Sequence, residues 1–267
     1  MTKSLAQVGQ FGGGIVHPDL KHNATHSRRI FLVGLAGAAG NARRANAEAG
    51  ASLNVVVAGG HPGDPEYGCG GTIAQYARLG HKVTLLYLNR GEDPLHCAPA
   101  NATNDATIRV HEAIEACRIL GAKPIFAPQC NGNSIVDNAH YEAFTRLLSE
   151  LRADLLFTQW PIDNHPDHRA VSTLTLEAWN RLGRSAAFYF YEVSDGEDSV
   201  MFAPTDYVDI TATEPIKRLA CYAHASQEPD HFYALQAQVA QFRGLEAGYQ
   251  QAEGFIRHAR SHRGFLP

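Results

Sequence analysis

The chain has 267 residues, 45% apolar, 19% charged and 9% aromatic, a composition that supports a sizeable buried core and excludes disordered, collagen-like and coiled-coil classes. A formal charge of −4 gives no footprint for nucleic acid, and the apolar run near the start is too short for stable membrane insertion. Five cysteines are too few and scattered for a disulfide scaffold and read mainly as buried small apolar residues.

The charge is unevenly spread. Residues 1–47 hold Lys3, Lys21, Arg28, Arg29, Arg43 and Arg44 against Asp19 alone, so they carry +5 and residues 48–267 carry −9. The basic string Ser27-Arg28-Arg29-Ile30-Phe31-Leu32 is followed by a weakly apolar Gly/Ala run and by Ala45-Asn46-Ala47. That order is the order of a secretory signal, and the paired arginines resemble the twin-arginine motif. The expectation is a cleaved export segment over 1–47, with cleavage after Ala47, and a periplasmic or secreted domain over 48–267. A flexible basic tail with a short apolar helix is the alternative.

Elements then alternate along the chain. Leu53–Ala58 is a short β-branched run typical of a strand buried on both faces, and Thr72–Leu79 has helical spacing closed by Gly80. Lys82–Leu88 reads as a second strand. A helix over Asn104–Leu120 follows, in which Ile108, Ile114, Cys117 and Leu120 can share a face, then a strand at Pro124–Ala127. A helix at Ala139–Leu151, a strand at Asp154–Thr158 and a helix at Arg169–Arg181 continue the pattern. Strands at Ala187–Val193 and Tyr207–Ile210 and helices at Glu214–Ala225 and His231–Tyr249 complete it. Strands separated by helices of this length predict one Rossmann-like, doubly wound α/β domain with a mainly parallel sheet.

Function in such sheets lies beyond the carboxyl ends of the strands. Two segments there concentrate metal-binding chemistry: Gly60-His61-Pro62-Gly63-Asp64-Pro65-Glu66 after the first strand, and Asn164-His165-Pro166-Asp167-His168 after the Asp154–Thr158 strand. Imidazole and carboxylate donors suit a divalent cation of the zinc type, and a catalytic site needs three protein ligands with one open position. Either string alone is an ordinary proline turn; together, at two strand ends of one domain, they point to a site. The glycines of Tyr67-Gly68-Cys69-Gly70-Gly71 lack the order of a dinucleotide cradle and fit close packing of the first helix.

These two strings, together with Asn89-Arg90-Gly91-Glu92, Arg109-x-x-Glu112 with Leu120-Gly121, and His224-x-Ser226-Gln227 after Lys217, resemble the LmbE-like or PIG-L family of zinc-dependent N-acetylglucosaminyl deacetylases. The resemblance runs from about residue 53 to 255. It implies that His61, Asp64 and His168 bind Zn²⁺ or another divalent transition metal, that His165 is the electrophilic or acid histidine and that Asp167 orients it. It also implies an N-acetylated amino sugar or glycoconjugate as substrate. Arg90 and Glu92, at the end of the second strand, are candidates for holding it; a strand-end turn with a solvated ion pair is the other reading of that pair. The sequence is compatible with a homo-oligomer.

The chain departs from the family pattern at Gly63, where the general-base Asp usually stands. General-base assistance is typically worth about 10²–10⁴-fold in rate. Glu66, Asp163 and Asp167 are the carboxylates available as substitutes, Glu66 being close in sequence. A weakly active or non-catalytic metal- or carbohydrate-binding protein is therefore the alternative reading.

Overall fold

The computed structural model describes residues 52–91, 104–193 and 201–267. The export segment expected over 1–47, Glu92 and Cys97 lie outside these residues.

Seven strands form one sheet in the order β3-β2-β1-β4-β5-β7-β6. They are β1 (Asn54–Gly59), β2 (Lys82–Tyr87), β3 (Lys123–Phe126), β4 (Leu155–Gln159), β5 (Ala187–Tyr191), β6 (Asp206–Asp209) and β7 (Ala252–Arg257). The helices are α1 (Asp64–Arg78), α2 (Asn104–Leu120), α3 (Asn138–Leu151), α4 (Pro166–Arg181), α5 (Glu214–Tyr222) and α6 (Pro229–Ala247). β1 pairs in parallel with β2 and β4, and β2–β3 and β4–β5 are parallel as well, whereas β7 runs antiparallel to both β5 and β6. The sheet is therefore a mixed, mostly parallel one.

Strand alternation places side chains on both faces, and both are covered. Val55, Val57, Phe157, Tyr189 and Tyr191 pack with Ile73 and Tyr76 of α1 and Cys117 and Leu120 of α2. Val56, Ala58, Leu156, Phe188 and Phe190 pack on the other side with Phe144 and Leu148 of α3 and Val171, Leu174 and Trp179 of α4. Burial on both faces is why the central strands read as continuous apolar runs. The glycines of α1 do serve packing: a side chain at Gly70 would collide with Lys217 and one at Gly71 with Ile210.

Three expectations need correction. In α2 the buried face is Ala113, Ala116, Cys117 and Leu120, whereas Ile108 and Ile114 are exposed. β7 carries no β-branched run and includes Gly254 and a buried Glu253, so its pattern does not announce a strand. Glu253 is tolerated because it pairs with buried Lys217 at 2.7 Å and accepts the backbone N–H groups of Gly71 and Thr72 at 2.9 and 2.8 Å, which pins β7 and α5 against α1. Cys69, Cys117 and Cys221 are buried free thiols, but Cys130 is disulfide-bonded rather than a buried apolar residue.

Candidate metal centre and cleft

β1 and β4 are neighbours where the strand order reverses, so the loops leaving their carboxyl ends open beside each other. The first loop is tied to the end of β4 by the Gly60 N–H, which donates to Gln159 Oε1 at 2.7 Å. It is also closely packed: a side chain at Gly60 would sit 3.1 Å from the His168 ring and 3.2 Å from the Asp64 carboxylate.

Asp64 opens α1, and its Oδ2 is the focus of the cluster. That oxygen accepts the His61 backbone N–H at 2.8 Å and lies 3.1 Å from His61 Nδ1 and 3.2 Å from His168 Nε2. The far nitrogen of each imidazole is held by a buried carboxylate, His61 Nε2 by Asp167 at 3.0 Å and His168 Nδ1 by Asp163 at 3.0 Å. Asp167 is fixed in turn by Asn89 Nδ2 at 3.2 Å and by the N–H groups of Gly132 at 2.7 Å and Ser134 at 3.3 Å. Carboxylates on the outer nitrogens of two histidines are the usual support of a metal site, because they set ring orientation and leave the inner nitrogens as ligands.

His165 caps α4: its Nδ1 accepts the Asp167 N–H at 3.2 Å, with Pro166 at the first helical position. Its ring centroid is 4.6 Å from that of His61 and 4.7 Å from that of His168. His61, His165 and His168 form a group that could hold a metal ion, their donor atoms lying within 4.8 Å of one another. The hydrogen bonding distinguishes the three. A neutral imidazole that accepts at Nδ1 carries its proton on Nε2, so His165 has a donor to offer where His61 and His168 have lone pairs.

The electrostatics agree with a cation site. Burial works to lower the pKa of His168, but Asp64 and Asp163 outweigh it and push it up to about 10. Asp64, despite burial, is held well below the carboxylate range by His168 and His61, and Asp167 falls to about 2, mainly through His61 and the Gly132 N–H. His165 moves the other way, lowered first by burial and then by the two neighbouring histidines. The acidic side chains around His61 and His168 thus favour positive charge there, a role that a divalent cation takes over with release of protons, freeing their inner nitrogens.

Above the cluster opens a cleft of about 150 Å³ whose walls include Asp64, His168, Tyr67, Arg109, His224 and Phe232. Arg109 donates to the Pro62 carbonyl at 3.0 Å and the Gly91 carbonyl at 3.3 Å, clamping the loops after β1 and β2. Glu112, one turn on, accepts the Ser226 N–H and hydroxyl, both at 2.7 Å, and so anchors the opposite wall.

Several site residues stand differently from expectation. The Asp167 carboxylate supports His61; only its backbone N–H reaches His165, because the carboxylate turns inward to the Asn89, Gly132 and Ser134 donors. Glu66 is fully buried, its Oε1 accepting from Tyr87 at 2.6 Å and contacting His224 Nε2 at 3.1 Å, so it is engaged inside the fold rather than offered to the cleft. Arg90 is exposed and is not among the cleft residues, and Glu92 lies outside the described residues. Asp163 as a ligand support, and Tyr67, Arg109 and His224 as cleft walls, were not foreseen; of these only Arg109 and His224 belonged to a recognisable motif.

The family profile described as PIG-L: GlcNAc-PI de-N-acetylase matches residues 55–179, which include both loops. Among solved structures, a conserved protein of Thermus thermophilus is similar at 27% identity and a TM-score of 0.66, covering 80% of this chain and 97% of its own. N,N′-diacetylchitobiose deacetylase from Pyrococcus horikoshii matches at 23% identity and a TM-score of 0.64 over 76% of this chain and 83% of that one. The same fold serves other chemistry: 4-carboxy-2-hydroxymuconate hydratase from Pseudomonas putida matches at 21% identity and a TM-score of 0.66, covering 80% and 99%. Residues 55–179, with the loops that bring His61, Asp64 and His168 together, are thus the part of the chain that matches the PIG-L (LmbE-like) domain.

Proposed function

We propose that the chain is a zinc-type metal-dependent N-deacylase that removes an acyl group, acetyl in the first instance, from an amino sugar or glycoconjugate. The observation that carries this reading is Asp64 Oδ2 lying 3.1 and 3.2 Å from two imidazole nitrogens whose opposite nitrogens are held by buried carboxylates. His61, Asp64 and His168 would hold the metal, and the donor set fits a borderline cation with one position left open. When bound, such a metal polarises an amide carbonyl and acidifies water.

The chain's own residues supply the rest. His165, with its proton on Nε2, donates a hydrogen bond to the carbonyl oxygen as negative charge grows there; a neutral imidazole keeps that proton, so the departing amine nitrogen takes the proton that water loses. Gly63 offers no group to take the proton that water loses. Asp167 is engaged by His61, Asn89 and two N–H groups, whereas Asp163 and Glu66 each use one oxygen, Asp163 Oδ1 for His168 and the His165 N–H and Glu66 Oε1 for Tyr87 and His224, and keep a buried second oxygen without a partner among the described residues. A slow enzyme is expected, and the engaged carboxylates favour a metal- or carbohydrate-binding protein as the second reading.

The test is metal content of the purified protein beside His61→Ala and Asp64→Ala, followed by acetate release from N,N′-diacetylchitobiose and N-acetylglucosamine conjugates. Wild type that takes up no divalent metal removes the deacylase and metal-binder readings; metal uptake without acetate release leaves the binder. Export of the domain is part of the proposal and rests on Arg28 and Arg29; retention of an Arg28→Lys/Arg29→Lys double variant in the cytoplasm, against an exported wild type, supports it. Among the described residues no helix is long and apolar enough to cross a membrane.

A further inference from the structure

Two side chains in the cleft wall, Tyr67 and His224, carry buried polar atoms, the Tyr67 hydroxyl and His224 Nδ1, that have no hydrogen-bond partner among the described residues. Tyr67 is 8% exposed and His224 is fully buried. Buried hydrogen-bonding atoms are almost always paired, so two orphans in one wall of a cleft beside the metal cluster call for partners from outside the chain. Nothing local explains them. The other nitrogen of His224 lies 3.1 Å from Glu66 Oε1, which also accepts from the Tyr87 hydroxyl; a neutral imidazole that donates there from Nε2 keeps a lone pair on Nδ1.

Gly63 makes room beside this wall. A Cβ there would lie 3.5 Å from the Tyr67 ring and 3.8 Å from the His224 ring, so any longer side chain at this position would project against the two residues. Its absence leaves the cleft open up to the edges of the two rings. The free groups define the ligand chemistry: Tyr67 can donate and accept, His224 Nδ1 accepts. A hydroxyl meets both demands, accepting from Tyr67 and donating to His224, whereas a carboxylate or phosphate has no proton for Nδ1. Burial raises the Tyr67 pKa further, which keeps the phenol a donor at all working pH values.

We propose that Tyr67 is a substrate-contacting residue, its hydroxyl hydrogen-bonding a sugar hydroxyl in the space left by the missing side chain at residue 63, with His224 as the second contact. This rests on the amino-sugar reading above and names the subsite that would hold the sugar.

The test is Tyr67→Phe, which removes one oxygen that has no partner in the fold. Its thermal midpoint is expected to equal or exceed that of wild type, since a buried unpaired hydroxyl is lost. The KM for N,N′-diacetylchitobiose, read by acetate release, should rise about 3–10-fold, the value of one neutral hydrogen bond, with kcat within about twofold. Unchanged KM overturns the proposal. Calorimetric titration with N-acetylglucosamine separates it from the deacetylase reading: a wild type that binds the sugar without hydrolysing it defeats only the latter, and a Kd weaker by about 3–10-fold for Tyr67→Phe then supports the subsite. An equal Kd, or no sugar binding by wild type, overturns it.

Discussion

Replacing Gly63 separates the backbone role of this residue from its chemical one. Gly63 has φ 110° and ψ −38° and precedes the first turn of α1 without any side-chain cap. That conformation lies beyond the left-handed helical region and costs an L-residue about 1–3 kcal/mol. A Cβ would meet Tyr67 at 3.5 Å, ordinary contact, so no collision adds to the strain. The reduced freedom of an unfolded chain with Ala instead of Gly returns about 0.4–1 kcal/mol. The net expectation for Gly63→Ala is a loss of about 1–2 kcal/mol, seen as a fall of roughly 3–6 °C in thermal midpoint for a domain of this size. Gly63→Asp carries the same strain but places a carboxylate at the cleft, and its kcat for acetate release should rise toward the value of general-base assistance, about 10²–10⁴-fold, while KM rises because the side chain takes space beside Tyr67. Stability is read by thermal unfolding and rate by acetate release, so the effects do not mask each other. An alanine variant as stable as wild type would refute the strain argument; an aspartate variant with full metal content and no gain in rate would refute the assignment of water activation to this position.

Asp163→Asn should weaken metal affinity by about 10–100-fold, measured by competition with a chelating dye, because it loosens the support of His168 Nδ1. Metal uptake should release protons and tighten as pH rises from about 6 to 8, since the metal must displace protons from His168, pushed up to about 10, and from His61, also raised; affinity that is flat over that range would contradict the ligand assignment. Lys217→Met leaves Glu253 buried without its counter-charge and should cost about 3–5 kcal/mol in urea unfolding, whereas a surface-like loss below about 1 kcal/mol would show that the Gly71 and Thr72 N–H groups suffice.

The parts of the fold that could be read from the chain are those where one physical signal dominates. Val55–Ala58, Leu155–Phe157 and Phe188–Tyr191 are buried on both faces, so hydrophobicity alone marks them. β7 escapes because its buried positions include Glu253, whose burial depends on Lys217 in a distant part of the chain. Ile108 and Ile114 mislead because helix periodicity names a face but not which face meets the sheet; the small Ala113 and Ala116 let α2 approach closely instead. In the site, ligand types and loop positions were legible because they are local strings. Which carboxylate meets which imidazole was not, since the Asp167 choice of His61 is decided by donors from Asn89, Gly132 and Ser134 on other segments.

That choice bears on function. A sequence with Asp163, Asp167 and Glu66 around a missing base suggests three spare carboxylates, yet the structure engages each with partners whose loss would disturb the site or the core. Hydrogen bonds from fixed donors stabilise a carboxylate as its anion and so make it a weaker base. The two properties of the centre therefore separate: the carboxylates that make His61 and His168 good ligands, Asp167 and Asp163, are committed to those rings, and of the two only Asp163 keeps an oxygen without a partner among the described residues. Metal affinity should survive changes at residue 63 while turnover responds to them, and a family profile that reports the retained ligands does not report the rate.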